Sequence, residues 1–472
     1  MKHTQDSGEL SKAYNISVRD LPYLKSAEAA TAIWQAPVGA YYPDIREIYD
    51  VGEGNVIVMT ADATTEGKTA VYYGKIDPIA GDVDLEQIGS LQDPGEGYVP
   101  RSVAVFNAYD GKKPEDIVTA QFKRIVLIFP DALSFDPTST GADRKLKSIS
   151  TSNNPIPNFK HITVLNGRLF GVLDGKIFAS EWNNYANFYT PNADEIVEDT
   201  SALPWISTTQ SDIDASGEFT GITVYGGQVI GFKRNFMHMI YNNKNPFRIV
   251  DIAKVGAISQ EAICEVNQAL FFVAEDGVYA FTGGAPTRIS DKLNIPAGEW
   301  EGSVLGGDDR VLYCYNADRN VVFTYDTVNG AWGEFNAGDV DSNMATVDGK
   351  CLFASNTSVY RMGGSPNGGF EFETDITFGG SLVEKKIKRL RLQVVHPTHN
   401  EGDYIAVSVL KANSTEPTAS KRFDPDEDCN TVLSMLTRMT CDFGQKIRVE
   451  GKGDWEIRYL QIDYESGGEK YV

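Results

Sequence analysis

Ala269-Leu-Phe-Phe-Val-Ala274, Asp276-Gly277 and Val278-Tyr-Ala-Phe281 form an apolar run, a tight turn and a second apolar run ending in an aromatic. Asp-Gly tolerates the positive φ angles of a two-residue hairpin loop. Val, Phe and Tyr suit a pleated, largely buried surface. The unit reads as a β-hairpin, and it recurs. Arg168-Leu-Phe-Gly-Val-Leu173 with Asp174-Gly175 and Lys176-Ile-Phe-Ala179 precedes it, followed by Gln228-Val-Ile-Gly-Phe-Lys233 with Phe236-Met-His-Met-Ile-Tyr241. Arg310-Val-Leu-Tyr-Cys-Tyr315 with Val321-Val-Phe-Thr-Tyr325, and Lys350-Cys-Leu-Phe-Ala354 with Ser358-Val-Tyr-Arg361, come after it. The anchors Leu169, Val229, Leu270, Leu312 and Leu352 are spaced by 60, 41, 42 and 40 residues. A period of roughly 40–45 residues with a hairpin in every unit predicts a β-propeller, in which one blade is a four-stranded sheet. A β-sandwich with regular hairpins is the competing reading.

Two weaker units precede these five. Asn55-Val-Ile-Val-Met59 is followed by Thr69-Ala-Val-Tyr-Tyr73, and Arg124-Ile-Val-Leu-Ile-Phe129 by Ala132-Leu-Ser-Phe135. Counting both gives an all-β fold with seven blades, six being the alternative. Insertions such as Asp93-Pro-Gly-Glu-Gly97 and Asp136-Pro-Thr-Ser-Thr140 are expected as loops. After Gly363-Gly-Ser-Pro-Asn-Gly-Gly369 the pattern changes. Alternation in Leu390, Leu392 and Val394, and less cleanly in Trp455, Ile457 and Tyr459, predicts half-exposed antiparallel strands. The expected division is an N-terminal arm over 1–39, a propeller over 40–365 and a small C-terminal β-sandwich over 366–472. The arm is irregular, or a strand that helps close the ring.

The chain has 472 residues, 42% of them hydrophobic, and no apolar run of 18 residues or more. It can bury one large core and one small one, and no segment reads as a transmembrane helix. The N-terminus lacks a hydrophobic stretch, so no secretory signal is expected. Cys264, Cys314, Cys351, Cys429 and Cys441 are odd in number without CxxC spacing, which predicts free thiols made in a reducing cytosol. A formal charge of −22 argues against a protein that grips nucleic acid through basic residues. The one dense basic patch, Lys385-Lys-Ile-Lys-Arg-Leu-Arg391, reads as the outward face of a solvated strand.

Few groups suggest chemistry. His396 and His399 flank Pro397, an i, i+3 pair with no obvious third ligand, and no metal site is expected. His238, between Met237 and Met239, reads as a blade-surface residue, and Trp332 as packing between blades. The acidic run Asp424-Pro-Asp-Glu-Asp428 lacks the spacing of a calcium loop. No Gly-x-Ser-x-Gly elbow, phosphate-binding loop or His-Glu-x-x-His motif is present. No catalytic residue, cofactor site or metal ligand is assigned, and the chain is expected not to be an enzyme.

From Gly221 to Leu293 the order runs Gly-Ile-Thr-Val-Tyr, Gln-Val-Ile-Gly-Phe-Lys, Phe-Met-His-Met-Ile-Tyr, Val255-Gly-Ala-Ile-Ser259, Leu270-Phe-Phe-Val-Ala and Arg288-Ile-Ser-Asp-Lys-Leu293. This order resembles the propeller-type tail and neck proteins of bacteriophages, the packaged-DNA stabilisation proteins and tail nozzles. Asn166-Gly-Arg-Leu-Phe-Gly171 and Ile177-Phe-Ala-Ser-Glu-Trp182 are similar to the preceding blade of such proteins. The likeness covers about 160–365 and brings no catalytic residues. It implies a virion structural protein, made in the host cytoplasm. Such a protein assembles as a ring, a hexamer, with portal, adaptor or other tail proteins, and DNA passes through it during ejection without sequence-specific binding or membrane contact. The alternatives are a receptor- or glycan-binding propeller, which exposed Trp182, Tyr185, Phe188 and Tyr189 would favour, and a propeller hydrolase, which needs convergent carboxylates.

Overall fold

Seven consecutive groups of antiparallel strands account for most of the chain, over 45–92, 102–148, 161–206, 219–253, 263–288, 304–335 and 345–365. The computed structural model describes residues 10–20, 23–93, 98–109, 122–150, 155–189, 200–207, 217–242, 244–365, 368–376, 385–411, 414–441 and 445–466. His3 and residues 94–97 of the first expected insertion lie outside them, as do the side chains of Lys385, Lys386 and Cys441. Among the described residues there is no α-helix, only two single 3-10 turns at Gly141–Asp143 and Asp291–Leu293. The chain divides into two units. One comprises 32–320 and 339–361; the other comprises 1–31, 321–338 and 362–472.

The first unit is the propeller. The turns that pattern reasoning relied on have the required geometry: Asp174 and Gly175 sit at φ of 49° and 72°, the doubly positive pair of a hairpin turn. The first strands of the groups are Ile45–Gly52, Ser102–Tyr109, His161–Leu165, Phe219–Tyr225, Ile263–Val266, Val304–Gly307 and Ala345–Val347. Each packs against the next, and Ala345–Val347 packs against Ile45–Gly52, so the ring closes at seven and the six-bladed alternative falls. Leu169, Val229, Leu270, Leu312 and Leu352 all lie on the second strand of their group and are at most 1% exposed. Each such side chain removed from water contributes about 1.5–3 kcal/mol before entropic costs. In the sixth group, Val304–Gly307 and Val311–Asn316 belong to this unit, whereas Val321–Asp326 and Ala331–Phe335 group with the second.

The last blade supplies only three strands of its own, Ala345–Val347, Lys350–Ser355 and Ser358–Ser365. Its fourth is Ala29–Gln35 from the N-terminal segment. The first strands of the chain are labelled β1 (Leu10–Tyr14), β2 (Ile16–Ser17), β3 (Leu24–Ser26), β4 (Ala29–Gln35) and β5 (Ile45–Gly52). The Ala36 amide donates to the Thr357 carbonyl and the Ile45 amide to the Asn356 carbonyl, both at 2.8 Å, so the two ends of the ring are stitched by backbone hydrogen bonds.

The second unit is a β-sandwich. Within this unit one sheet runs Val321–Asp326, Ala331–Phe335, β1, Gly369–Ile376, Gln445–Lys452, Tyr404–Lys411, Pro417–Phe423. The other runs β2, β3, Asp454–Ser466, Lys385–Thr398, Cys429–Cys441. Between them Phe370, Phe372, Leu390, Leu392, Val394, Val407, Ile447 and Trp455 form a core that Ile16 of β2 joins. Of the two readings of residues 1–39, the strand that helps close the ring is met by β4, and the irregular arm is corrected. β1 to β3 are sandwich strands and β4 is a blade strand, because their backbone groups find ladders there that an irregular arm would leave to water. The imperfect alternation after Trp455 also has a cause. Gln393 pairs with Tyr459 but Val394 with Ile457, so a bulge at Arg458 turns Tyr459 outward and returns Leu460 and Ile462 to the core side.

Candidate functional site

A cluster of buried polar groups lies where β5 meets the lead-in to the second blade. Glu47 and Tyr49, two residues apart on β5, project to one face, as the strand period requires. Opposite them, Arg101 donates its amide to Glu47 Oε1 at 2.8 Å, and its carbonyl accepts the Tyr49 hydroxyl. Arg101 is 3% exposed. Its guanidinium pairs with Asp93 at 3.3 Å and with Asp131 at 3.2 Å. Arg46 reaches the other Asp93 oxygen at 2.6 Å, and the Thr69 hydroxyl donates to Asp93 at 2.7 Å. Tyr98 lies beneath both guanidiniums, its ring centre 4.5 Å from Arg46 and 5.1 Å from Arg101. The buried charges of Asp93 and Arg101 thus each sit in an ion pair.

Glu47 is 4% exposed, and its Oε2 finds no hydrogen-bond partner. Burial pushes its carboxyl up to about 7, against the pull of the Tyr98 side chain and of the Arg101 amide and guanidinium. Glu261, at the entry to the fifth blade, adds to the rise through its charge. Asp93 differs: burial pushes it upward too, but Arg46 and Thr69 overcome that and hold it below the ordinary carboxylate range. One carboxyl on an innermost strand is therefore able to give or take a proton near neutral pH, while its neighbour stays ionised. That division is what general acid–base chemistry uses. No sequence motif marks Glu47. Its environment is assembled by Tyr98, Arg101 and Asp131, 51 to 84 positions away.

The residues singled out in the sequence are placed as follows. In the loop 181–189, Trp182 and Phe188 are buried, Tyr185 is half-buried, and Tyr189 alone of the four is exposed. Phe188 packs on Phe159 in the core of the second and third blades, so the loop does not present a platform of four aromatics. His238 is not on a blade surface: it is 1% exposed, and its Nδ1 lies 2.7 Å from Asp251 across adjoining strands. Burial lowers its pKa despite that carboxylate. Trp332 rests on Tyr325 across its own hairpin, with ring centres 4.8 Å apart. Cys264, Cys314, Cys351 and Cys429 are free thiols. In the basic patch Lys388 is exposed and Arg391 pairs with Asp463 at 3.4 Å. His396 and His399 do have a third potential ligand, Asp403, which the sequence did not reveal as close.

No family model and no curated protein matches the chain. Solved structures similar to it include the extracellular domain of a putative one-component system from B. thetaiotaomicron (8% identity, TM-score 0.40, 75% of this chain). The extracellular domain of a putative hybrid two-component system from that organism is 10% identical, with a TM-score of 0.44 over 95% of this chain. The chain spans 42% and 64% of those two proteins. A family 43 arabinoxylan arabinofuranohydrolase from Bacillus subtilis is 11% identical, covering 92% of this chain and 99% of its own, with a TM-score of 0.21. An exo-β-1,3-galactanase from Phanerochaete chrysosporium has the same identity, 92% and 100% coverage and a TM-score of 0.28. The expectation that the chain is not an enzyme is corrected on this point, since glycoside hydrolases stand among its structural neighbours. At these identities no substrate or residue role carries over. The chain is an all-β protein with a seven-bladed propeller and a β-sandwich.

Proposed function

We propose that this chain is a structural component of a bacteriophage tail or neck, a ring-forming protein of the nozzle type bordering the path by which DNA leaves the particle. The order of blade segments from Gly221 to Leu293 carries this reading, through its resemblance to propeller-type tail proteins. The charge supports it: six copies at −22 each sum to −132, and a conduit that repels phosphate lets a duplex pass, whereas many lysine or arginine contacts would hold it. A closed propeller also leaves few free strand edges, so assembly falls to loops and to the appended sandwich. The test is mass spectrometry of purified virions from cells carrying the gene, with the wild-type chain and with a chain lacking 1–27 and 369–472. Wild-type chain in particles with the truncated chain left in the supernatant supports the proposal. Absence of the wild-type chain from particles overturns it.

A second reading is favoured by Glu47. A propeller hydrolase needs carboxyls that converge, one of them raised toward neutral pH. Glu47 in the first blade, raised to about 7 mainly by burial, supplies one such carboxyl, and the charge of Glu261 at the entry to the fifth adds to the rise. A glycoside panel assayed with wild type and Glu47→Gln separates the readings: turnover abolished in the variant would favour the hydrolase.

A further inference from the structure

We infer that His396, His399 and Asp403 form a binding site for a zinc-class divalent cation in the sandwich. The strand Lys385–Thr398 ends in one sheet and Tyr404–Lys411 begins in the other; His396 lies near the end of the first strand, and His399 and Asp403 on the short connection between them. One ligand atom from each lies within 4.8 Å of the others.

The nitrogen available on His396 follows from its partner. Nδ1 lies 2.6 Å from the Asp454 carbonyl, which can only accept, so Nδ1 carries the hydrogen and neutral His396 offers a lone pair at Nε2. That nitrogen is buried without a hydrogen-bond partner, and so is Nδ1 of His399. His396 Nε2 stands 3.3 Å from Asp403 Oδ2, which already accepts the Asn400 amide at 2.9 Å. Ligand atoms about 2.0–2.1 Å from a tetrahedral ion are about 3.4 Å apart, so the spacing of this pair suits a shared cation.

The surroundings hold the ligands in place. An imidazole donating its other nitrogen to a backbone carbonyl is the usual outer support of a metal-bound histidine. Trp455 stacks on the His396 ring at 4.1 Å and 14°. Asp428 accepts the His399 amide at 2.7 Å and fixes the loop. Gly453, at φ of +105°, leaves room for the Asp403 carboxylate, whose carbon a Cβ there would meet at 2.4 Å. Two imidazoles and one carboxylate select zinc or cobalt over calcium and magnesium, which take all-oxygen sets. Three protein ligands leave a coordination position for water or for an oxygen donor from another molecule.

The full-length, tag-free chain, stripped with a chelator, is titrated with zinc by calorimetry and with cobalt by visible absorption. One zinc per chain is expected, with a four- or five-coordinate cobalt spectrum that zinc abolishes and excess magnesium does not. His399→Ala, in a half-exposed loop position, and Asp403→Asn should each weaken binding by about tenfold or more, with the circular dichroism of wild type retained. Affinity should also fall on acidification, because protons compete for both imidazoles. Lack of stoichiometric binding at about 100 µM zinc would overturn the inference. So would wild-type affinity in both variants, which would place the ion elsewhere.

Discussion

In the propeller a residue finds its strand partners close by in sequence: Leu270 faces Glu265 on one side and Phe281 on the other. In the sandwich the Ser26 hydroxyl accepts the Trp455 amide across 429 positions, and Ile16, with Leu10, Ala13, Val18 and Leu24 beside it, packs in a core whose other buried members lie beyond 369. Both regions are antiparallel and apolar between their layers, yet the first is a row of local hairpins and the second needs both ends of the chain. The sandwich therefore cannot complete its core until the last strands exist, and its loop-closure cost falls due before its contacts form. β4 imposes one similar demand on the propeller, since this early strand finds its partners only in the last blade.

The largest effect that would test this contrast is Leu270→Asp. A charge among Ile230, Phe232 and Phe272 should cost more than about 4 kcal/mol and unfold the propeller in a urea titration. Mild loss would mean that the blade core is not shared as described. Next is Glu47. Its folded-state carboxyl is raised to about 7 from an ordinary value near 4.5, so the folded chain holds the proton more tightly than the unfolded one. The stability this lends is complete below pH 4.5 and lost as pH rises through about 7, a swing of about 3 kcal/mol. Glu47→Gln keeps the acceptor for the Arg101 amide and should flatten that slope between pH 5 and 8 in denaturation midpoints. An unchanged slope would remove Glu47 as its source.

Ile16→Ala should cost about 2 kcal/mol, the low end for a buried isoleucine because β2 has only two residues. Hydrogen exchange should show the loss in the sandwich strands, with the blade strands protected as before. Equal loosening of both would contradict their separate cores. The smallest effect is Arg391→Ala, which breaks a partly exposed pair with Asp463 and should change stability by about 0.5 kcal/mol or less.

Blade positions were legible because a hairpin records itself twice, in alternating apolar runs and in turn residues such as Asp174-Gly175. The aromatic loop was misjudged for the opposite reason: Trp182 and Phe188 are as apolar inside a core as on a binding face, and only packing on Phe159 distinguishes them. His238 deceived similarly, since the carboxylate that partners it, Asp251, is set by the register of the next strand. The pair His396 and His399 was visible, and Asp403 lay only four residues further on. Its approach depends on Gly453 and Asp454, about 50 positions away, which shape the pocket around it.

By itself the sequence determined the all-β class, the repeat, the buried anchor of each blade and the acidic charge, because these depend on local periodicity and composition. Tertiary structure alone chose seven blades over six, identified β4 as the strand that completes the last blade, placed β1 to β3 in the sandwich, and made Glu47 a carboxyl poised near neutrality. Strand pairing across hundreds of residues leaves no periodic trace. A pKa is fixed by burial and by the charges nearby, neither of which is written in the identity of a single residue.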